Sequence, residues 1–132
     1  MIFLSSQHIG GGSASLLLTE LRNIGLNVDH SPLNPAFGHD ERWQSWYAQG
    51  LRTALESVSL FVSVIDKGWD SSTWMAMESA QAFNSVSTRD SIRFWNPDQI
   101  VVKVQEMRQY LTSELPRDLI EAAAEIEKLA MA

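Results

Sequence analysis

Cysteine is absent, which excludes disulfides, zinc-thiolate centres and thiol nucleophiles. Long apolar runs are missing as well. Stretches such as Leu16-Leu17-Leu18 and Leu60-Phe61-Val62 stop after a few residues, far short of the ~18 that a membrane helix needs. Basic residues are in deficit, 10 against 16 acidic ones. The net charge of −6 repels a phosphate backbone, and no basic stripe overrules it, so nucleic acid is excluded as a partner. The N-terminal Met1-Ile2-Phe3-Leu4-Ser5-Ser6 lacks the basic start and ~7–15-residue apolar stretch of a secretory signal, an expectation of cytoplasmic location. With 132 residues, 45% of them apolar, the chain is expected to fold as a single domain over 1–132. Tryptophan is unusually frequent, with five in 132 residues. Trp43, Trp46, Trp69, Trp74 and Trp95 exceed what so short a core usually requires, and aromatic rings also stack on nucleobases.

Elements alternate along the chain. Residues 1–6 read as a strand, followed by the turn His8-Ile9-Gly10-Gly11-Gly12 and a helix with Leu17, Leu18, Leu21 and Ile24 on one face. Ser13 is expected to cap that helix and Gly25 to end it. Leu26-Asn27-Val28-Asp29 reads as a second strand, parallel to the first through a right-handed crossover. Residues 30–40, with Pro32, Pro35 and Gly38, form a loop of the kind that carries function. From Asp40 as N-cap, Trp43, Tyr47, Leu51, Ala54, Leu55 and Val58 mark a buried helical face. Residues 60–65 are nearly continuously apolar, as in a central strand covered on both sides. Residues 74–83 read as helix and 91–95 as a fourth strand. Within 98–111, Ile100-Val101-Val102 suggests a fifth strand leading into a helix. Pro116 is expected in the first turn of a closing helix with Leu119, Ile120, Ala123, Ile126 and Leu129 inward. The sum is an α/β, flavodoxin-like open parallel sheet of four or five strands with helices on both faces. Ligands of such sheets bind beyond the carboxyl ends of the strands.

That rim holds the candidate chemistry. Ser5, Ser6, Gly11 and Gly12 form a glycine-bearing loop feeding a helix N-terminus, where backbone N–H groups favour phosphate; equally, it is a flexible turn. Trp74 and Glu78 lie one turn apart on the helix after Trp69-Asp70-Ser71-Ser72-Thr73. A carboxylate there can bind ribose hydroxyls or stabilise an oxocarbenium-like sugar, whereas an ordinary helical glutamate only faces solvent. Asp66, ending the central strand, suggests a phosphoacceptor, but the acidic pair and lysine that such a site needs are replaced by Ser5-Ser6 and Asn96-Pro97. His8, His30 and His39 lack metal-ligand spacing, so no metal is expected, and no Gly-x-Ser-x-Gly elbow occurs.

Together these pieces resemble a TIR (Toll/interleukin-1 receptor) domain across residues 2–96. Ile2-Phe3-Leu4-Ser5-Ser6 is similar to the family's first strand. Leu21-x-x-x-Gly25-Leu26-x-Val28 and the 30–40 loop are similar to its second strand and BB loop. Ser71-Ser72-Thr73-Trp74-Met75-Ala76-Met77-Glu78, with Ala82, looks like the Ser-x-Trp-x-x-x-Glu helix, and Phe94-Trp95 like the Phe-Trp box. The resemblance implies cleavage of the nicotinamide–ribose bond of NAD+ as substrate, with Glu78 catalytic and no separate cofactor. It implies nucleotide contacts from Ser5, Ser6, Gly11, Gly12, Phe37, Gly38, Asp66, Trp69 and Trp74, and homo-oligomerisation through the 30–40 loop. A nearly all-TIR chain would act through a diffusible ADP-ribose-type product, open-chain or cyclic, read by a separate effector in bacterial defence. Ser6-Gln7 and the glycines at 10–12 depart from the family pattern. Two other readings stay open: a non-enzymatic assembly module, and a nucleoside 2-deoxyribosyltransferase-like enzyme.

Overall fold

Unbroken apolar sequence produces the two central strands. In the computed structural model, β1 (Ile2–Ser5) and β3 (Leu60–Val64) are buried along their whole length, as strands covered on both faces are. They pair in parallel, Phe3 opposite Phe61 and Ser5 opposite Ser63. The two phenylalanine rings stack at 5.6 Å with 4° between their planes. β2 (Val28–His30) joins the outer side of β1 and β4 (Ile92–Trp95) the outer side of β3, so the parallel order is β2-β1-β3-β4. The structure describes residues 1–31 and 41–132, with the backbone alone for 41–46. The expected loop over 32–40, with Phe37, Gly38, the Asp40 cap and the proposed interface, lies outside the described residues, as does the Trp43 side chain.

Helices cover both faces, as the alternation of elements requires. α1 (Gly12–Asn23) and α5 (Leu119–Ala130) bury Leu17, Leu21 and Ile126 against Ile2, Leu4, Val62 and Val64. On the other face, α2 (Glu41–Leu55) and α3 (Thr73–Asn84) bury Leu51, Leu55 and Ala82 against Phe3 and Phe61. α1 ends as its sequence dictates: Gly25 takes φ +88°, its N–H donates to Arg22, and the Leu26 N–H donates to Leu21, closing a Schellman motif. No described helix is long and apolar enough to cross a membrane.

Several local expectations are corrected. Gly11, not Ser13, is the N-cap of α1, and no side chain caps that end. The second strand starts at Val28 rather than Leu26 and runs to His30. Pro116 precedes α5, whose N-cap is Asp118 accepting from the Glu121 N–H at 3.0 Å, and Ile120 on that helix is 59% exposed.

The largest correction is the fifth strand, because side chains capture the backbone that would have paired. The Asn96 amide both donates to and accepts from Ile100, at 2.9 Å each way, while Gln99 adopts φ 55°. The Asp70 carboxylate accepts the N–H of Lys103 at 2.6 Å and of Val104 at 3.1 Å. Only a short α4 (Gln105–Arg108) follows. What remains of the edge is one bridge, with the Phe94 N–H donating to Ser113 and the Leu115 N–H to Phe94.

The Val104 and Lys103 N–H groups hold the Asp70 carboxyl below its ordinary value of 3.8. A lowered value means the clasp contributes fully above that ordinary value and is lost as pH falls through the lowered one. Asp70→Ala is therefore expected to speed amide hydrogen exchange at Lys103 and Val104 near neutral pH. Unchanged protection would show that the segment is held by packing of Val102 and Met107 instead.

Candidate active site

The parallel strands of the sheet finish at one rim, and Ser5 and Ser31 stand at the ends of β1 and β2. α3 starts beside them because the Ser72 hydroxyl accepts the Met75 N–H at 3.3 Å, an N-cap. Its buried stripe is Trp74, Met75, Glu78, Ser79 and Ala82, so the one carboxylate in it is aimed at the sheet. Glu78 is 0% exposed.

Three hydroxyls from three elements surround that carboxylate. Ser5 and Ser31 each donate to Oε1 at 2.6 Å, and Tyr47 of α2 donates to Oε2 at 2.8 Å. Ser31 is itself oriented, since its oxygen accepts the Ser6 N–H at 2.9 Å. The Ser6 hydroxyl in turn accepts the His8 N–H at 3.1 Å, shaping the turn after β1. The Tyr47 ring meets Trp74 edge-on, centroids 4.7 Å apart.

Burial pushes the Glu78 carboxyl above its ordinary value, and the hydroxyls of Ser31, Ser5 and Tyr47 oppose that rise. Burial and the adjacent Glu78 push the Tyr47 phenol far above its own ordinary value, so Tyr47 stays a donor at any working pH. A carboxylate offers about four acceptor sites. The described donors take both on Oε1 and one on Oε2. Among the described residues, one site on Oε2 is left for a further donor.

A groove of about 550 Å³ opens between α2 and the β1–β2 edge, lined by Phe3, Asp29, Ser31, Tyr47, Leu51 and Ala54 among others. Ser31 and Tyr47 thus belong both to the groove and to the shell of Glu78. The size is that of a small-molecule cleft.

Of the residues expected at the site, Ser5, Ser6, Trp74 and Glu78 come together here. Gly11 and Gly12 begin α1 and have no other group within 4 Å of where a Cβ would sit. Asp66 and Trp69 lie in the turn after β3 and are not among the described hydrogen-bond partners of Glu78. Trp69 is 1% exposed and packs with Ile65, Met75 and Met107, so its ring is core rather than a stacking surface.

Ser31 and Tyr47 were not expected as site residues. Tyr47 was legible only as a member of a buried helical face. Its hydroxyl, which needs a partner once buried, was the available signal. Compared with known proteins, the sequence matches no family model and has no significant similarity to any curated protein.

Proposed function

We propose that the chain is a TIR-type N-glycosidase that cleaves the nicotinamide–ribose bond of NAD+. One observation supports this most: a completely buried carboxylate whose donors, among the described residues, are all hydroxyls. Among the described residues no cation acts on Glu78. Burying a charge without a counter-charge is expensive, and an aliphatic side chain in the same stripe would avoid it. A carboxylate kept there is suited to a positive charge that appears only during reaction, and at low dielectric that attraction is several-fold stronger than in water.

In the reaction the C1′–N bond breaks and its electron pair leaves with neutral nicotinamide. Positive charge spreads over C1′ and the ring oxygen of the ribose, opposite Glu78. Water adds to C1′ and loses a proton, giving ADP-ribose; capture by the adenine of the same molecule gives a cyclic isomer instead. Ser5, Ser31 and Tyr47 hold the carboxylate in one orientation, so no reorganisation accompanies charge development. The acceptor site on Oε2 that the described residues leave open suits a ribose hydroxyl.

Nicotinamide release, with products resolved by chromatography, tests this for the wild type and Glu78→Ala, dilute and crowded. Release by the wild type alone is the expected result, and the second product separates hydrolase from cyclase. Silence of both proteins in both conditions would overturn the reading in favour of self-assembly through the 30–40 segment. Base exchange between deoxynucleosides, without NAD+ consumption, would replace it by a deoxyribosyltransferase.

A further inference from the structure

Gln7 Oε1, Asp66 Oδ1 and Trp69 Nε1 are buried without a hydrogen-bond partner. The fold brings their residues to two adjacent turns. Ser5 is in register with Ser63, so the chains leaving β1 and β3 run side by side. The backbone N–H of Trp69 donates to the backbone carbonyl of Asp66 at 3.1 Å, closing the turn after β3. At its tip, Gly68 has φ +88°, and the Gln7 amide lies on it so closely that a Cβ would sit 3.3 Å from Oε1. This is the seam at which the strand order reverses, with β2 reached on one side and β4 on the other, the place where open α/β sheets take ligands.

An orphaned buried polar atom is destabilising, and three at one seam, in the two turns that leave β1 and β3, call for a ligand. Trp69 fixes the geometry, because its indole is locked at 1% exposure among Ile65, Met75 and Met107. Gln7 and Asp66 are only partly buried as residues, with the two unpartnered oxygens on their inner side. The set comprises two acceptors and one donor. Its complement is a group with two N–H donors on one atom and an acceptor beside it.

We infer that Gln7, Asp66 and Trp69 form a subsite for a primary carboxamide. Its NH2 donates to Gln7 Oε1 and Asp66 Oδ1, and its carbonyl accepts from Trp69 Nε1. The inference rests on the N-glycosidase reading for the identity of that ligand, nicotinamide as the departing group, and on the orphaned atoms for its chemistry. A carboxylic acid in place of the amide offers no N–H and brings negative charge to Asp66. Such a site rejects it through its own unpaired acceptors.

Direct binding of nicotinamide, nicotinic acid and adenine to the intact chain, followed by NMR, tests the subsite apart from catalysis. Nicotinamide is expected to bind at least about tenfold more tightly than nicotinic acid, the worth of one good hydrogen bond. Gln7→Met is expected to weaken nicotinamide about tenfold and leave nicotinic acid unchanged, while Gln7→Glu restores an acceptor and retains nicotinamide binding. Trp69→Phe, with folding checked by near-UV circular dichroism, should lower affinity for both pyridines, whose carbonyl oxygen it no longer meets. Equal binding of the two pyridines, absence of nicotinamide binding, or preference for adenine overturns the subsite. Glu78-dependent cleavage of NAD+ without pyridine discrimination overturns the subsite and leaves the N-glycosidase reading standing. Discrimination without any NAD+ cleavage upholds the subsite and overturns that reading.

Discussion

Glu78→Gln is expected to abolish nicotinamide release, lowering turnover about a thousandfold or more as loss of a preorganised charge does, and at the same time to raise the melting temperature at pH 8. The two effects have one origin. Glutamine keeps the shape of the side chain, its carbonyl oxygen accepts from Ser5 and Ser31, and its amide donates to the Tyr47 oxygen. Only the buried charge is gone. In the wild type, burial raises the carboxyl above its ordinary value of 4.5. The folded chain therefore binds this proton more tightly than the unfolded chain does. Stability linked to Glu78 is fully present below pH 4.5 and is lost as pH rises through the raised value. The glutamine variant lacks that slope, so its advantage grows from pH 4 to pH 8. A relief of about 1–2 kcal/mol corresponds to roughly 3–8 °C for a domain of this size. Calorimetry at pH 4, 6 and 8 checks it. A variant that melts below the wild type at pH 8 would mean that the three hydroxyls outweigh desolvation, and Glu78 would then be a structural carboxylate.

The contrast between fold and site follows from how far each feature reaches along the chain. Continuous apolar sequence at 60–65 marks a central strand because both faces of that segment are covered, and Gly25 marks a helix end because its φ of +88° suits glycine. Both signals are local. Glu78 was legible as well: Trp74, Glu78 and Ala82 share one helical stripe, so a carboxylate there is directed inward. Its shell was not legible. Ser31 lies 47 residues from Glu78 in sequence, and Tyr47 lies 31 residues away. Nothing near either hydroxyl announces the partner. The missing fifth strand has the same cause, since the fate of residues 103 and 104 is decided by Asp70, more than 30 residues upstream. Strand propensity at Ile100-Val101-Val102 carries no information about that competitor. Gln7 was legible only as a departure from the family pattern. Its unpartnered oxygen appears once β1 and β3 are side by side.

Tyr47→Phe is expected to move the acid limb of the pH–kcat profile upward and to lower kcat about tenfold at neutral pH, where a hydroxyl that merely fills space would do neither. The ring and its edge-on contact with Trp74 remain, so the change is confined to one O–H. That O–H is the described donor to Oε2, and its removal leaves desolvation less opposed. The Glu78 carboxyl then rises further, and a larger share of the enzyme is protonated and inactive at a given pH. Stability follows the same logic. A hydrogen bond to a buried charge is worth about 1.5–3 kcal/mol, so the variant melts roughly 5–10 °C lower at pH 8. The loss shrinks toward pH 4, where Glu78 is neutral in both proteins. In the Glu78→Gln background the same substitution removes a bond to a neutral amide and costs less than half as much. A double-mutant cycle on melting temperature, with pH profiles of each active protein, separates the cases. An unmoved acid limb together with equal cost in both backgrounds would reduce Tyr47 to packing. A shifted limb together with coupling identifies its hydroxyl as the group that keeps Glu78 charged inside the core.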